Sequence, residues 1–470
     1  MSVLARPWSR LTTAGKIAIP ILVLLVGLTF LLLIGVATGI IPALLHFGLD
    51  LAAANIGIVR FIVAATAILL FTVPTAFVII YLEMKLIALI NLRLGPNRVG
   101  PWGTLQSTIH GFKVLAKEDF TPTGADVPVF TMAPVVTYLS AVMAFLVIPF
   151  APGLVGQDMN IGLLYFFAVG GLTVLGLLMG GWSSFNKYSL LGGLRAAAQI
   201  ISYEIPLTLA VVGVVILAGT LSLNGIVLAQ SSLGAGPPIL RSLTFLDWFV
   251  VQQPLAFLIF FIAATAEGNR APFDLTEADS EIVAGFATEY SGMRFGFFFF
   301  AEYVNVFLLS ALTVVLFLGG WTAPIDVRQL GIDISLALDP SRLGLLLLVI
   351  VAVVPPLLIL ALALPVWMLR SDWSFLRALV IGFLLFNVLA VAVVGLWLAV
   401  SFEAVVGLIW FFGKTYTFVV IFVWMRGTLP RVRIDQLMGF AWKWLLPAAL
   451  LNLFVTAGAV VIVEQLRRGA

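Results

Sequence analysis

The stretch "EGNRAPFDLTEADSEIVAGFATEY", residues 267–290, stands between two long apolar runs, 247–266 and 293–318, in a chain otherwise poor in charge. Counting Glu302 just beyond it, residues 267–302 hold seven of the chain's 22 acidic residues. Each flanking run matches the roughly 20 residues that one bilayer crossing requires. The stretch therefore reads as a polar link between two membrane helices, and the rest of the chain extends that pattern.

The 470 residues are 62% apolar and only 10% charged, with a mean hydropathy of +1.16. A water-soluble domain cannot hide so much apolar surface, so the fold class is an all-α, polytopic transmembrane helical bundle. About eleven spans are expected at one per 20 or so apolar residues. They fall near 17–45, 58–82, 129–150, 160–182, 198–222, 247–266, 293–318, 343–369, 375–401, 403–425 and 442–463. The break at "SFEAVVG" separates two of them as a tight turn. The basic N-terminus with the long run from Ile17 reads as an uncleaved anchor, because a signal h-region spans only about 7–15 residues. With that N-terminus inside, the inner segments carry 18 of the 25 Lys and Arg residues and the outer ones six. That asymmetry sets the orientation and puts the acidic stretch on the cytoplasmic side.

Cysteine is absent and the histidines are two, His46 and His110. Iron–sulfur ligation, a thiol nucleophile and a cysteine-based zinc site are thereby excluded for this chain. The two histidines fall on opposite sides in this topology, which argues against a bis-His haem. Redox chemistry must come from a partner or a diffusible carrier. No basic, aromatic-interleaved patch suggests nucleic acid.

Between the second and third spans, "NLRLGPNRVGPWGT" is dense in Gly and Pro and predicts turns. Leu105, Ile109, Phe112, Leu115 and Ala116 then recur at helical spacing, which predicts an amphipathic helix lying at the membrane face. In span 160–182, Gly176 and Gly180 predict close helix packing.

A charge run in a loop is ordinarily a solvated face. This one is interleaved with "APF" and "IVAGF", too apolar for a free tail. Asp274 with Glu277 reads as a capping box, and the helix it would start puts Glu277 and Glu281 on one face. Arg270 is the only basic residue between Glu267 and Glu289, so pairing within the stretch is incomplete. Crowded carboxylates in a poorly solvated site hold protons near neutrality, as storage and relay require. Glu302, Glu204 beside Pro206, and Lys414 lie at membrane depth, where ionisable groups by default mark an ion route. The plainer reading of Glu302 and Lys414 is a structural ion pair.

Four long motifs occur in order: "RLGPNRVGPWGTLQ", "KYSLLGGLRAAAQIISYEIPL", "NRAPFDLTEADSEIVAGFATEYSGMRFGFFFFAEY" and "WMRGTLPRVRIDQLMGFAWK". Together they closely resemble one membrane-subunit family of respiratory complex I, the NADH-quinone oxidoreductase. It is the family of the bacterial H subunit and of the first membrane subunit of the mitochondrial enzyme, and the match covers most of residues 58–322 and 403–463. The resemblance implies a subunit that forms a quinone chamber and couples quinone reduction to proton translocation through carboxylates. It implies a proton pathway of Glu204, Asp274, Glu277, Asp279, Glu281, Glu289 and Glu302. The chamber would involve Glu83, Lys85, Arg93, Arg98, Lys113, Arg270 and Phe273, and the partner interface Glu118, Arg426, Arg431 and Asp435.

The same resemblance implies quinone as substrate and no cofactor or metal on this chain, with FMN and iron–sulfur clusters in partner subunits. The partners would be peripheral-arm and other membrane subunits of complex I, together with membrane lipid. The location would be the bacterial inner membrane. No activity is expected of the isolated chain.

Two positions depart from the family pattern: Met84 replaces an arginine of a Glu-Arg-Lys triplet, and His110 replaces an aspartate. They read as coupled changes that remove an opposite-charge pair. The division expected is a tail and anchor (1–57), a chamber and proton-track core (58–322), an inserted loop with two helices (323–402) and a C-terminal helix pair (403–470). Two other readings are a subunit of a membrane-bound hydrogenase or ferredoxin- or F420-dependent relative of complex I, and a stand-alone ion-coupled transporter. The last would call for inverted repeats, which this sequence does not display.

Overall fold

Long apolar runs without solvated breaks fold as helices, because each backbone donor and acceptor must find its partner within the segment. The computed structural model describes residues 56–232, 244–274, 284–324 and 402–469. Nearly all of them belong to one of the chain's two compact units, residues 61–333 with 406–470.

The helices are α1 (Ile56–Ile90), α2 (Gln106–Leu115), α3 (Val127–Ala144), α4 (Gly162–Ser183), α5 (Lys187–Ala218), α6 (Leu223–Ser232), α7 (Pro254–Glu267), α8 (Gly292–Phe317), α9 (Phe402–Thr428), α10 (Ile434–Phe440) and α11 (Leu446–Gly469). A π-helical turn, Ala441–Leu445, joins the last two into one long rod. Among the described residues there is no β-strand, only an isolated bridge between Ala151 and Leu154. Seven of these rods are long and apolar enough to cross a membrane, and α7 is a shorter apolar helix. The expected spans at 17–45, 343–369 and 375–401 lie outside the described residues.

Two elements differ from the sequence reading. The expected span 247–266 is divided into a single turn, Phe249–Gln252, and the 14-residue α7. The division falls at Gln253, whose amide turns away to donate to the Gly213 carbonyl (3.2 Å) and the Thr456 hydroxyl (3.0 Å). Pro254 then opens α7 without needing a backbone donor. The expected span 198–222 instead begins at Lys187, giving a 32-residue helix whose N-cap Asn186 accepts from the Tyr188 amide at 2.9 Å. Ala- and Leu-rich sequence after that cap sustains helix where charge alone suggested a loop.

The bundle is centred on α8, of whose apolar window 78% is buried, against 17% for the α10–α11 rod. Phe307 of α8 meets Phe71 of α1 edge-on at 5.6 Å and Tyr416 of α9 at 5.7 Å, favourable geometries for aromatic rings. The expected close packing at Gly176 is realised: a Cβ there would stand 2.1 Å from the Thr137 hydroxyl oxygen of α3. Residues 91–105 form turns, as their Gly and Pro content predicts, with Gly103 at φ 81°. The apolar face of α2 (Ile109, Phe112, Leu115) is exposed, as an amphipathic surface helix requires.

Candidate functional site

Arg270 leaves the end of α7 in a tight loop whose Ala271–Pro272 bond is cis. A single amide, Gln199 of α5, holds both ends of that loop: its Nε2 donates to the carbonyls of Ala266 (2.7 Å) and Phe273 (2.8 Å). From the other side, the Val432 amide donates to the Pro272 carbonyl (2.9 Å) and Arg431 pairs with Asp274 (3.2 Å). The loop is therefore fixed by α5 and by the segment between α9 and α10.

So held, the Arg270 side chain is only 3% exposed and joins two carboxylates, Glu83 of α1 at 3.2 Å and Glu302 of α8 at 3.3 Å. Its guanidinium lies 4.6 Å from the centre of the Tyr303 ring. Arg426 of α9 pairs with the other oxygen of Glu83. The result is a chain, Arg426–Glu83–Arg270–Glu302, with two positive and two negative groups, buried at its centre and part-buried at its ends. Such charges tolerate burial only while paired. Glu302 is thus matched with Arg270 rather than with Lys414, which contacts backbone carbonyls instead.

Two cavities flank this chain of charges. The larger, about 850 Å³, is lined by Glu83, Met84, Arg93, Arg98, His110, Phe299 and Tyr303, among others. Its volume lies in the ordinary range for small-molecule sites, about 300–1,000 Å³. The smaller, about 60 Å³, is lined by Glu267, Glu302 and Asn305 together with Thr137 and Thr173, and has room for a few water molecules. Glu83 thus borders the large cavity, Glu302 the small one, and Arg270 touches both carboxylates.

The other expected residues distribute as follows. Lys85 donates at 3.1 Å to the side chain of Asn97, which lines the large cavity. Lys113 and Glu118 are exposed, as is Asp435, which lies 3.6 Å from Arg433. Phe273 packs against Tyr203, ring centres 5.6 Å apart, and does not border the large cavity. Glu289 accepts from the Asn186 side chain at 2.6 Å. Glu204 is half-buried on α5, within Coulomb range of Glu267. Glu277, Asp279 and Glu281, with the expected capping box, lie outside the described residues. Tyr290 anchors the segment before α8 by donating to the Phe130 carbonyl at 3.1 Å; burial pushes its hydroxyl up to about 12, so it stays protonated.

Sequence reasoning misses one acid. Glu267 opens the quoted stretch, yet it is absent from the expected proton pathway. Its Oε2 is inaccessible and has no hydrogen-bond partner among the described residues, and the residue lines the cavity that Glu302 also lines. The available signal was its place at the last turn of an apolar helix, ahead of the breaking Gly268. Among the described residues no group of three or more His, Asp or Glu is arranged to hold a metal.

Residues 62–457 match the NADH dehydrogenase family. The H subunit of the NADH-quinone oxidoreductase of Anoxybacillus flavithermus is 42% identical over 385 residues, covering 82% of this chain and 88% of that one. The protein of the same name from Dehalococcoides mccartyi is 39% identical, covering 84% of this chain and 86% of its own length. That from Rhodospirillum centenum is 39% identical, with 84% and 91% covered. The chain belongs to the NADH dehydrogenase family, as a multi-pass membrane protein of the same kind as the NADH-quinone oxidoreductase H subunits.

Proposed function

We propose that this chain forms the quinone-access chamber of a proton-translocating NADH:quinone oxidoreductase and couples quinone reduction to proton movement through carboxylates. The observation that carries the reading is the ion-pair chain between the two cavities, with Glu83 on the wall of one and Glu302 on the wall of the other.

The larger cavity would admit the quinone, with Arg93, Arg98, Glu83 and Tyr303 on its wall and Lys85, Lys113 and Phe273 in support. Negative charge developing on a quinone headgroup there attracts Arg270 and Arg426. Any weakening of the Arg270–Glu302 pair removes the counter-charge of Glu302, and a carboxylate that loses its cation takes up a proton more readily. Glu302, Glu267 and Glu204, with Glu289, Asp274, Glu277, Asp279 and Glu281, would pass that proton change onward. Arg431 pairs with Asp274 of the loop and Arg426 with Glu83; both, with the exposed Glu118 and Asp435, would serve contacts with other complex I subunits. FMN and iron–sulfur clusters belong to those partners, and quinone enters as substrate. The setting is the bacterial inner membrane, N-terminus cytoplasmic, with lipid around the apolar perimeter.

Arg270→Lys in the assembled complex tests the reading. Lysine keeps the charge but loses the fork that reaches two carboxylates at once. Quinone reduction should persist in part while protons translocated per quinone reduced fall. An unchanged ratio at full assembly would reject the proposed coupling.

A further inference from the structure

Lys414 lies in the middle of α9 and takes no part in the arrangement around the two cavities. Its ammonium donates to three backbone carbonyls, those of Leu318 (2.6 Å), Gly320 (3.0 Å) and Thr322 (2.7 Å). It also lies 4.1 Å from the centre of the Trp248 ring. All three carbonyls belong to the turn that ends α8.

That end of α8 needs help. The last carbonyls of any helix have no partner within it, and here residues 311–317 are buried, out of reach of bulk water. Gly319 and Gly320 adopt φ of 68° and 54°, folding the chain so that carbonyls converge. A Cβ at Gly319 would stand 2.6 Å from the indole nitrogen of Trp248, which leaves glycine alone able to make this turn beside it. Gln230 supplies a second clasp, donating to the Val315 carbonyl (2.9 Å) and accepting from the Gly319 amide (2.8 Å). The negative end of the helix dipole also falls here, where a cation is favoured.

An ammonium has three donors, and three carbonyls engage it. A lysine so engaged is placed to hold rather than to hand on a proton. We propose that Lys414 is a positioning residue, a fixed cation that clasps the C-terminal end of α8 and thereby sets where Glu302 stands. Glu302 lies 15 residues before Phe317 on the same rigid rod, about 22 Å along its axis. This assignment replaces an ion-route role for Lys414, and it relies on the proposed function only for the pumping readout.

The test compares Lys414→Arg and Lys414→Met in the assembled complex by three measurements. These are the amount assembled, amide exchange over residues 314–322, and protons translocated per quinone reduced across pH. Arginine donates without ever releasing its proton, so it can clasp but cannot relay. Lys414→Arg should assemble, keep slow exchange, and keep the parent pumping ratio with the same pH profile. Lys414→Met should speed exchange at the Leu318, Gly320 and Thr322 amides by about tenfold or more, or fail to assemble where arginine succeeds. Full assembly and quinone reduction with lost pumping in Lys414→Arg would overturn the proposal. So would parent-like exchange in Lys414→Met, or failure of both variants to assemble. Fast exchange in Lys414→Met, in an enzyme whose pumping ignores the acid cluster, would sink the proposed function and leave the clasp standing.

Discussion

Met84 and His110 are the two positions that depart from the family pattern, and both lie at the larger cavity. Both border it, Met84 partly buried beside Glu83 and His110 exposed on α2. Glu83 already meets two guanidinium groups, Arg270 and Arg426. A third positive charge at position 84 would crowd that cluster without a carboxylate to receive it, and like charges in a poorly solvated site repel. Met84→Arg alone should therefore lower quinone-reductase activity more than the double change with His110→Asp, which supplies a carboxylate on the same cavity. Equal rates for the two variants would remove the coupling. The departures themselves were legible as residue identities. That both side chains face one chamber came only from the resemblance, because a series of turns separates them along the chain and no local spacing brings them together. Arg270 was likewise visible as the lone cation of its stretch, but its two partners come from helices far away in sequence, and no local spacing announces them.

Among the described residues, apolar length identified the long apolar helices, since a bilayer crossing leaves few alternatives to a helix. Of the two departures, the early start of α5 is local, set by its Asn186 cap, whereas the break before α7 and the setting of Glu267 depend on partners far along the chain. Gln253 leaves the line of its helix to serve Gly213 and Thr456, and Glu267 gains its setting from α3 and α8 across the small cavity. The Gly176 contact could be anticipated because close helix approach leaves a direct mark in composition. It also gives a clean comparison within α4. Gly176→Ala should destabilise the assembled subunit by about 1–3 kcal/mol, as overpacking does. Gly171→Ala on the same helix meets nothing within 4 Å among the described residues and should be nearly neutral. Thermal inactivation of quinone reduction separates the two; equal midpoints would contradict the packing.

At the scale of the whole molecule, the proposed orientation rests on where lysine and arginine concentrate. The chain has no cysteine, so each introduced cysteine is the only one in it. Lys117→Cys should react with a membrane-impermeant thiol reagent from the cytoplasmic face, and Gln157→Cys from the opposite face; the reverse pattern would invert the topology. The proposed function at this scale rests on one arrangement, in which paired arginines and glutamates lie between a roomy cavity and a small acidic one. The most direct measurement is the number of protons translocated per quinone reduced by the assembled enzyme carrying Glu204→Gln, Glu267→Gln and Glu302→Gln. This ratio should collapse even where some quinone reduction survives; a ratio equal to the parent enzyme's would rule out proton coupling through these carboxylates.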